Sequence, residues 1–201
     1  MTVVALASRN PGKLREIRSI LAEAGAPLRV VSADEFAGWI APPEDAPDYE
    51  GNAVIKARSL AAFAGVPALA DDSGIEVDAL DGAPGPRSAR FAGDDASDEN
   101  NLRKLIEAIR SVPESERTAR YRCVAALVTN DGSEVTAEGT VEGVLITEPR
   151  GTGGFGYDPI FVPIGSERTM AELDPDEKDR VSHRGKAFRG LVASLRDLAS
   201  Q

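Results

Sequence analysis

Residues 2–25 read TVVALASRNPGKLREIRSILAEAG, and the pattern changes once, just after the first seven residues of the chain. TVVALA (2–7) is a short unbroken apolar run rich in β-branched side chains, the signature of a buried strand. Beyond Asn10, Leu14, Ile17, Leu21 and Ala24 recur at helical spacing, and Gly25 supplies a stop. A strand running straight into a helix opens a βαβ unit, so the class expected is α/β.

The rest of the chain extends this reading. A second strand is expected at about 28–31, followed by the acidic, proline-rich PPEDAPD (42–48) and a helix over YEGNAVIKARSLAAFAG that ends at Gly65. PALA (67–70) predicts a short strand ending before DDSGIEVDAL. DENNLRKLIEAIR (98–110) predicts a helix through Leu102, Leu105, Ile106 and Ile109, with Asp98 as its cap. YRCVAALVT and SEVTAEGTVEGVLI flank Asn130-Asp131-Gly132, a hairpin signal. One last helix is expected over about 184–199, carrying Phe188, Leu191, Leu195 and Leu198. With βαβ units and a long hairpin in one chain, the sheet should be mixed. No repeat or clear linker divides residues 1–201.

Composition excludes several functions. A chain of 201 residues with 42% hydrophobic content can bury a substantial core as one large domain or two interlocked lobes. Its apolar runs are far shorter than a membrane span, and MTVVALASRN lacks the features of a signal peptide, so a cytoplasmic protein without a membrane partner is expected. The single cysteine, Cys123, lies in CVAALV and reads as a buried hydrophobe. With one histidine besides, no Cys/His zinc site can be built, and a metal would be a hard cation such as magnesium or manganese held by carboxylates. A net charge of −10 argues against a nucleic-acid partner.

Four stretches could carry chemistry. ASRNPGK (7–13) sits where a strand meets a helix N-terminus, a natural phosphate site, yet it fails as a P-loop because Ala7 and Leu14 stand where Gly and Ser or Thr are needed. Its plainer reading is Asn10 capping the helix and Lys13 solvated. ADDSG (70–74) places two acids at the expected end of a strand, which suits metal binding or general-base work, or equally a self-bonded turn. GTGGFGYDPIF (151–161) is either a glycine-rich hairpin or a backbone that approaches a ligand, with Phe155 offering a flat face. SHRGKAF (182–188) holds the only histidine, which alone would be incidental.

Taken in order and spacing, SRNPGK, ADDSGIEVDAL, GAPGPRSARFAG, GTGGFGYDPIF and SHRGKAF closely resemble the inosine triphosphate pyrophosphatase family, the house-cleaning nucleoside triphosphate pyrophosphatases. The resemblance runs from about residue 3 to 198. It implies a two-lobed α/β fold with a long twisted mixed sheet, a nucleotide cleft between the lobes, and a homodimer. It further implies magnesium-dependent conversion of ITP, dITP or XTP to the monophosphate and pyrophosphate.

By the same resemblance Ser8, Arg9, Asn10, Pro11, Gly12 and Lys13 hold the phosphates, Asp72 is the proton acceptor and a magnesium ligand, and Ser73 contacts substrate. Phe155, Gly156, Tyr157 and Asp158 form the nucleoside strip, completed by Lys178, His183 and Arg184. His183 and Arg184, with backbone N–H groups of the strip, are expected to read the C6 edge of the base. The run EDAPDYEGNA departs from the family's usual pattern by placing Gly51 where an acid normally precedes Asn52. Glu44 is therefore the expected second metal ligand, with Glu50 and Asp48 as competitors.

The residue inventory is consistent with that chemistry. Hydrolysis of an α–β phosphoanhydride needs charge neutralisation on the leaving pyrophosphate, a positioned water and a base. Lys13, Lys178 and a metal supply the first, and Asp72 the base, with Asp71 the next suspect. Competing readings are a Maf-type pyrophosphatase with another base preference, a catalytically silent nucleotide-binding module, and a P-loop phosphatase, which the failed motif disfavours.

Overall fold

A computed structural model describes residues 2–200, the side chain of Asp176 excepted. Strand β1 spans Thr2–Leu6 and helix α1 spans Pro11–Glu23. Asn10 caps α1, its Oδ1 accepting from the N–H groups of Gly12 at 2.8 Å and Lys13 at 3.3 Å, and Pro11 occupies the first turn where a missing N–H costs nothing. The chain continues through β2 (Leu28–Ser32), α2 (Tyr49–Ala64), β3 (Ala68–Val77), α3 (Asp98–Ile109), β4 (Thr118–Val128), β5 (Glu134–Leu145), β6 (Phe161–Pro163), α4 (Pro175–Val181), α5 (His183–Gly190) and α6 (Val192–Ala199). Asp48 caps α2 through Gly51 N–H, and Gly65 closes it in the left-handed conformation at φ 66°.

The six strands form one sheet in the order β2-β1-β3-β4-β5-β6. β1 pairs in parallel with β2 and with β3, whereas β5 and β6 are antiparallel, so the sheet is mixed as the βαβ unit and the hairpin require. β4 and β5 are neighbours in the sheet, joined by the expected turn, where Thr129 N–H donates to Ser133 O at 3.0 Å.

The chain divides into two compact units. The first takes the chain up to Asp72, Cys123–Gly139 and the segment from Arg184 onward; the second takes Ser73–Arg122 and Thr140–His183. In the first unit the pleat separates two apolar faces. Leu69, Cys123, Ala125 and Leu127 pack with Ile17, Leu21, Phe188 and Leu195 from α1, α5 and α6, while Ala70, Val124, Ala126 and Val128 pack with Tyr49, Ala53 and Ala57 of α2. The alternation assigns odd positions of β3 and β4 to one face and even positions to the other. The core of the second unit joins Ile75 and Val77 to Leu105 and Ile109 of α3, with Val141, Leu145, Ile160, Phe161 and Met170.

Three expectations need correction. The strand expected to end at Ala70 continues to Val77, so Asp71, Asp72, Ser73 and Gly74 lie within β3 rather than in a turn after it. Aspartate and glycine are poor strand formers, and the extension persists because both carboxylates find buried partners there. The single last helix is two helices: Leu191 N–H bonds Phe188 O in a tightened turn, next to Gly190, where an added Cβ would lie 2.7 Å from Cβ of Ala137. The cap of α3 is Ser97, whose hydroxyl accepts from Asn100 N–H at 3.2 Å, while Asp98 instead accepts from Gly156 N–H at 3.1 Å. Among the described residues no helix is long and apolar enough to cross a membrane.

Candidate active site

The two adjacent acids of β3 point to opposite faces of the sheet, as successive strand residues must. Asp71 is 3% exposed and accepts from Lys13 Nζ with both oxygens at 2.9 Å and from Arg184 Nε at 3.1 Å. Arg184 also lies 3.8 Å from the carboxylate of Glu16, so Glu16, Arg184, Asp71 and Lys13 form a buried chain of alternating charge. Burial alone would raise the Asp71 pKa, but Lys13, Arg184 and Lys56 outweigh it and hold the carboxyl well below its usual range.

Asp72 faces α2. Asn52 Nδ2 donates to its Oδ2 at 3.1 Å, and Lys56 Nζ lies 3.4 Å from its Oδ1, so one helix addresses both oxygens from residues one turn apart. Here burial prevails: helped by the nearby Glu44 charge, it raises the Asp72 pKa despite the opposing pull of Lys56 and Asn52. An elevated carboxylate pKa is the property of a group that must accept a proton and release it again. Lys56 is only 7% exposed, and burial opposes its charge, yet Asp72, Asp71 and Glu44 together raise its pKa, so it stays protonated.

Glu44 Oε1 accepts from Lys56 Nζ at 2.7 Å, so Glu44 and Asp72 converge on one cationic centre. Two hard carboxylates that close would suit magnesium, which commonly takes one or two protein carboxylates and fills its shell with water and phosphate oxygens. No cluster of three or more His, Cys, Asp or Glu side chains that could hold a metal ion occurs among the described residues. The competing acids are engaged elsewhere, Asp48 in the cap of α2 and Glu50 with the hydroxyl of Thr136 at 3.3 Å.

The phosphate-loop candidates Ser8 to Lys13 connect β1 to α1. Lys13 reaches Asp71, whereas Arg9 turns to Asp34 at 3.3 Å and the Trp39 carbonyl at 3.1 Å. Ser8 Oγ accepts from Asn10 N–H at 3.1 Å, and the Ser8 carbonyl accepts from Ser32 Oγ at 3.2 Å. Pro11 and Gly12 form the first turn of α1, with Gly12 N–H on Asn10.

The second unit gathers Phe155, Asp158, Lys178 and His183. Asp158 is 3% exposed and accepts from Phe155 N–H at 2.8 Å, Tyr121 Oη at 3.2 Å and Lys178 Nζ at 2.5 Å. Lys178 Nζ also lies 4.8 Å from the centroid of the half-exposed Phe155 ring. The His183 ring stacks on Tyr121 at 4.7 Å and 7°. Tyr157 donates to the Ser88 carbonyl at 2.7 Å, and Ser73 follows Asp72 on β3. At Gly154, with φ 73°, a Cβ would run into the Asp158 carboxylate and come within 2.9 Å of Lys178 Nζ, so this glycine is required by the cluster itself.

His183 and Arg184, neighbours in sequence, therefore go to different partners. Asn52, Lys56, Glu16 and Tyr121 were not among the candidates drawn from sequence. The available signal was the spacing of Asn52 and Lys56 with Ala53, Ala57 and Leu60, which puts an amide and a lysine on the buried side of α2.

Comparison with known proteins places this geometry. The profile of a family described as the Ham1 family matches residues 4–194. A "dITP/XTP pyrophosphatase" of Geobacter sulfurreducens is 50% identical over 97% of this chain and 97% of its own length, and one of Streptomyces coelicolor is 48% identical over 98% and 99%. A solved HAM1 protein from Coxiella burnetii superposes with a TM-score of 0.89 at 40% identity, covering 98% of this chain and all of that one.

Proposed function

The chain belongs to the Ham1 family, and from that membership we propose that it is a nucleoside triphosphate pyrophosphatase. It hydrolyses non-standard purine nucleoside triphosphates (dITP, XTP and ITP) to the monophosphate and pyrophosphate, removing them from the nucleotide pool. The observation that carries the mechanism is Asp72, buried and held at both oxygens by Asn52 and Lys56, with Glu44 beside it.

In this reading Asp72 accepts the proton of the attacking water as its oxygen bonds to phosphorus and the α–β bridging bond breaks. The departing pyrophosphate carries the bridging oxygen with it. Asn52 and Lys56 fix the orientation of the carboxylate, so the lone pair that receives the proton is in place before attack. Glu44 and Asp72 would hold magnesium, which when bound supplies positive charge for the phosphates. Residues Ser8 to Lys13 engage the phosphates, with Lys13 the distal charge, and Asp71 with Arg184 sets the position of the Lys13 ammonium. Phe155 offers a stacking face over Lys178, and Asp158 with the backbone of the strip addresses the base edge. His183 and Arg184 complete the set, Arg184 through its pairing with Asp71. Composition and the Glu44–Asp72 pair support magnesium, the short apolar runs support a cytoplasmic location, and the family resemblance supports a homodimeric assembly.

The test is product identity across a panel of nucleotides with magnesium. Pyrophosphate release from dITP, XTP and ITP, with ATP and GTP far slower, is the expected result: donors aimed at the C6 keto edge are left unpaired by adenine and can discriminate by ~10⁴-fold, whereas guanine, which shares that keto group, is rejected at its 2-amino group. Release of orthophosphate, preference for another base, or binding without turnover would each replace this reading.

A further inference from the structure

Lys56 is a charged residue in an otherwise well-packed stretch of α2, where Tyr49, Ala53, Ala57 and Leu60 are buried. Its ammonium contacts Glu44 at 2.7 Å and Asp72 at 3.4 Å. These two carboxylates are the ones the pyrophosphatase reading assigns to magnesium. The protein thus carries its own cation between them.

We propose that Lys56 is a built-in counter-cation that keeps the Glu44–Asp72 pair from binding a divalent metal tightly in the absence of nucleotide, so that metal enters with the triphosphate. The two carboxylates and the ammonium together leave one net negative charge for a doubly charged ion. Across the whole cluster, buried except for the partly exposed Glu44 and Lys13, Asp71, Asp72, Glu44 and Glu16 face Lys13, Lys56 and Arg184, which again leaves one. Affinity of oxygen sites for hard cations follows ligand charge, so a pair that is half-neutralised holds such an ion weakly. A triphosphate brings the missing negative charge. The lysine also has a positioning role, because with metal absent it holds two mutually repelling carboxylates together. The inference rests on the pyrophosphatase reading only for the identity of the two ligands.

The experiment is calorimetric titration of manganese, with no nucleotide present, into the wild type, Lys56→Met and Lys56→Arg, each checked for folding by circular dichroism. Removing the charge should tighten manganese binding by about tenfold or more, as expected for deleting a unit charge next to a divalent ion, whereas Lys56→Arg should bind as weakly as the wild type. Adding Glu44→Gln to Lys56→Met should abolish the gain. Unchanged or weaker binding by a folded Lys56→Met, or equal tightening in Lys56→Arg, overturns the proposal. If Lys56→Met does not fold, the wild type decides: a nucleotide-free dissociation constant near 10 μM or below overturns it, and one near millimolar sustains it. Neither outcome depends on turnover, so failure of the pyrophosphatase reading would appear separately as absent pyrophosphate release.

Discussion

Asp72 has a donor on each of its oxygens and sits in a buried strand, so replacing it by asparagine preserves shape while removing the proton acceptor. Asp72→Asn should lower kcat by at least ~100-fold with ITP, the low end for a positioned general base. Near-wild-type turnover in a stopped pyrophosphate assay would reject the assignment. Asp71 has a different consequence. In Asp71→Asn, Lys13 and Arg184 lose their shared carboxylate, and breaking such a buried pairing costs roughly 3 kcal/mol. The folded carboxyl titrates below its ordinary value of 3.8, so as pH falls the unfolded chain takes up the proton first. The stabilisation is therefore complete above about pH 5 and is lost progressively as pH falls through the unfolded value towards the much lower folded one. Urea unfolding of wild type and Asp71→Asn should show the full difference at pH 7 and one smaller by about 1 kcal/mol at pH 3, where the unfolded carboxyl is mostly protonated and the folded one still ionised; equal differences would mean that the pairing is not what stabilises the site. Which of the two acids bears which partners was beyond the sequence, because Lys13 and Arg184 meet Asp71 from 58 and 113 residues away.

The glycine-rich segment before β6 and the start of α2 can be tested as elements. Gly154 adopts a positive φ against Asp158 and Lys178, so Gly154→Ala should raise KM for ITP about tenfold or more and also lower the melting temperature, since alanine is strained at this φ and its Cβ would displace the buried Asp158 carboxylate. A normal KM would show that the Asp158–Lys178 pair does not recognise substrate. At α2, Asp48→Ala removes the side-chain cap on Gly51 N–H and should cost ~1 kcal/mol in denaturant unfolding, a loss that Asp48→Ser should largely restore. Elements whose signals are local were legible: the Asn10 cap, the Gly65 stop, the Asn-Asp-Gly turn and the amphipathic runs all appear where expected. Those set by distant partners were not. β3 runs through Asp71, Asp72 and Gly74 against local preference, and the close approach of Gly190 to Ala137 accompanies a helix break that apolar spacing did not reveal.

At the level of the whole chain, five motifs in register outweigh any one of them, which is why activity was more legible than contacts. Lys56 and Asn52 stayed hidden because each looks ordinary in a helix until Asp72 is placed opposite. Cys123 gives a global readout. It is fully buried in the first unit's core, and desolvation followed by the Asp71 charge raises its pKa, so the native protein should resist a thiol reagent and yield one reactive thiol in urea. Prompt labelling in native buffer would show that this core opens readily. Finally, the pleat of β3 makes Asp71 and Asp72 duplicates in identity without redundancy in role. Neither can deputise for the other, since each is handed to a different helix. A one-residue insertion early in β3 would carry Asp71 to Asn52 and Lys56 and leave Lys13 and Arg184 facing Ala70, while a deletion there would carry Asp72 to Lys13 and Arg184 and leave Asn52 and Lys56 facing Ser73, so either slip strips one site of its carboxylate. Length variation in this strand is thus far more damaging than its two consecutive, chemically identical residues would suggest.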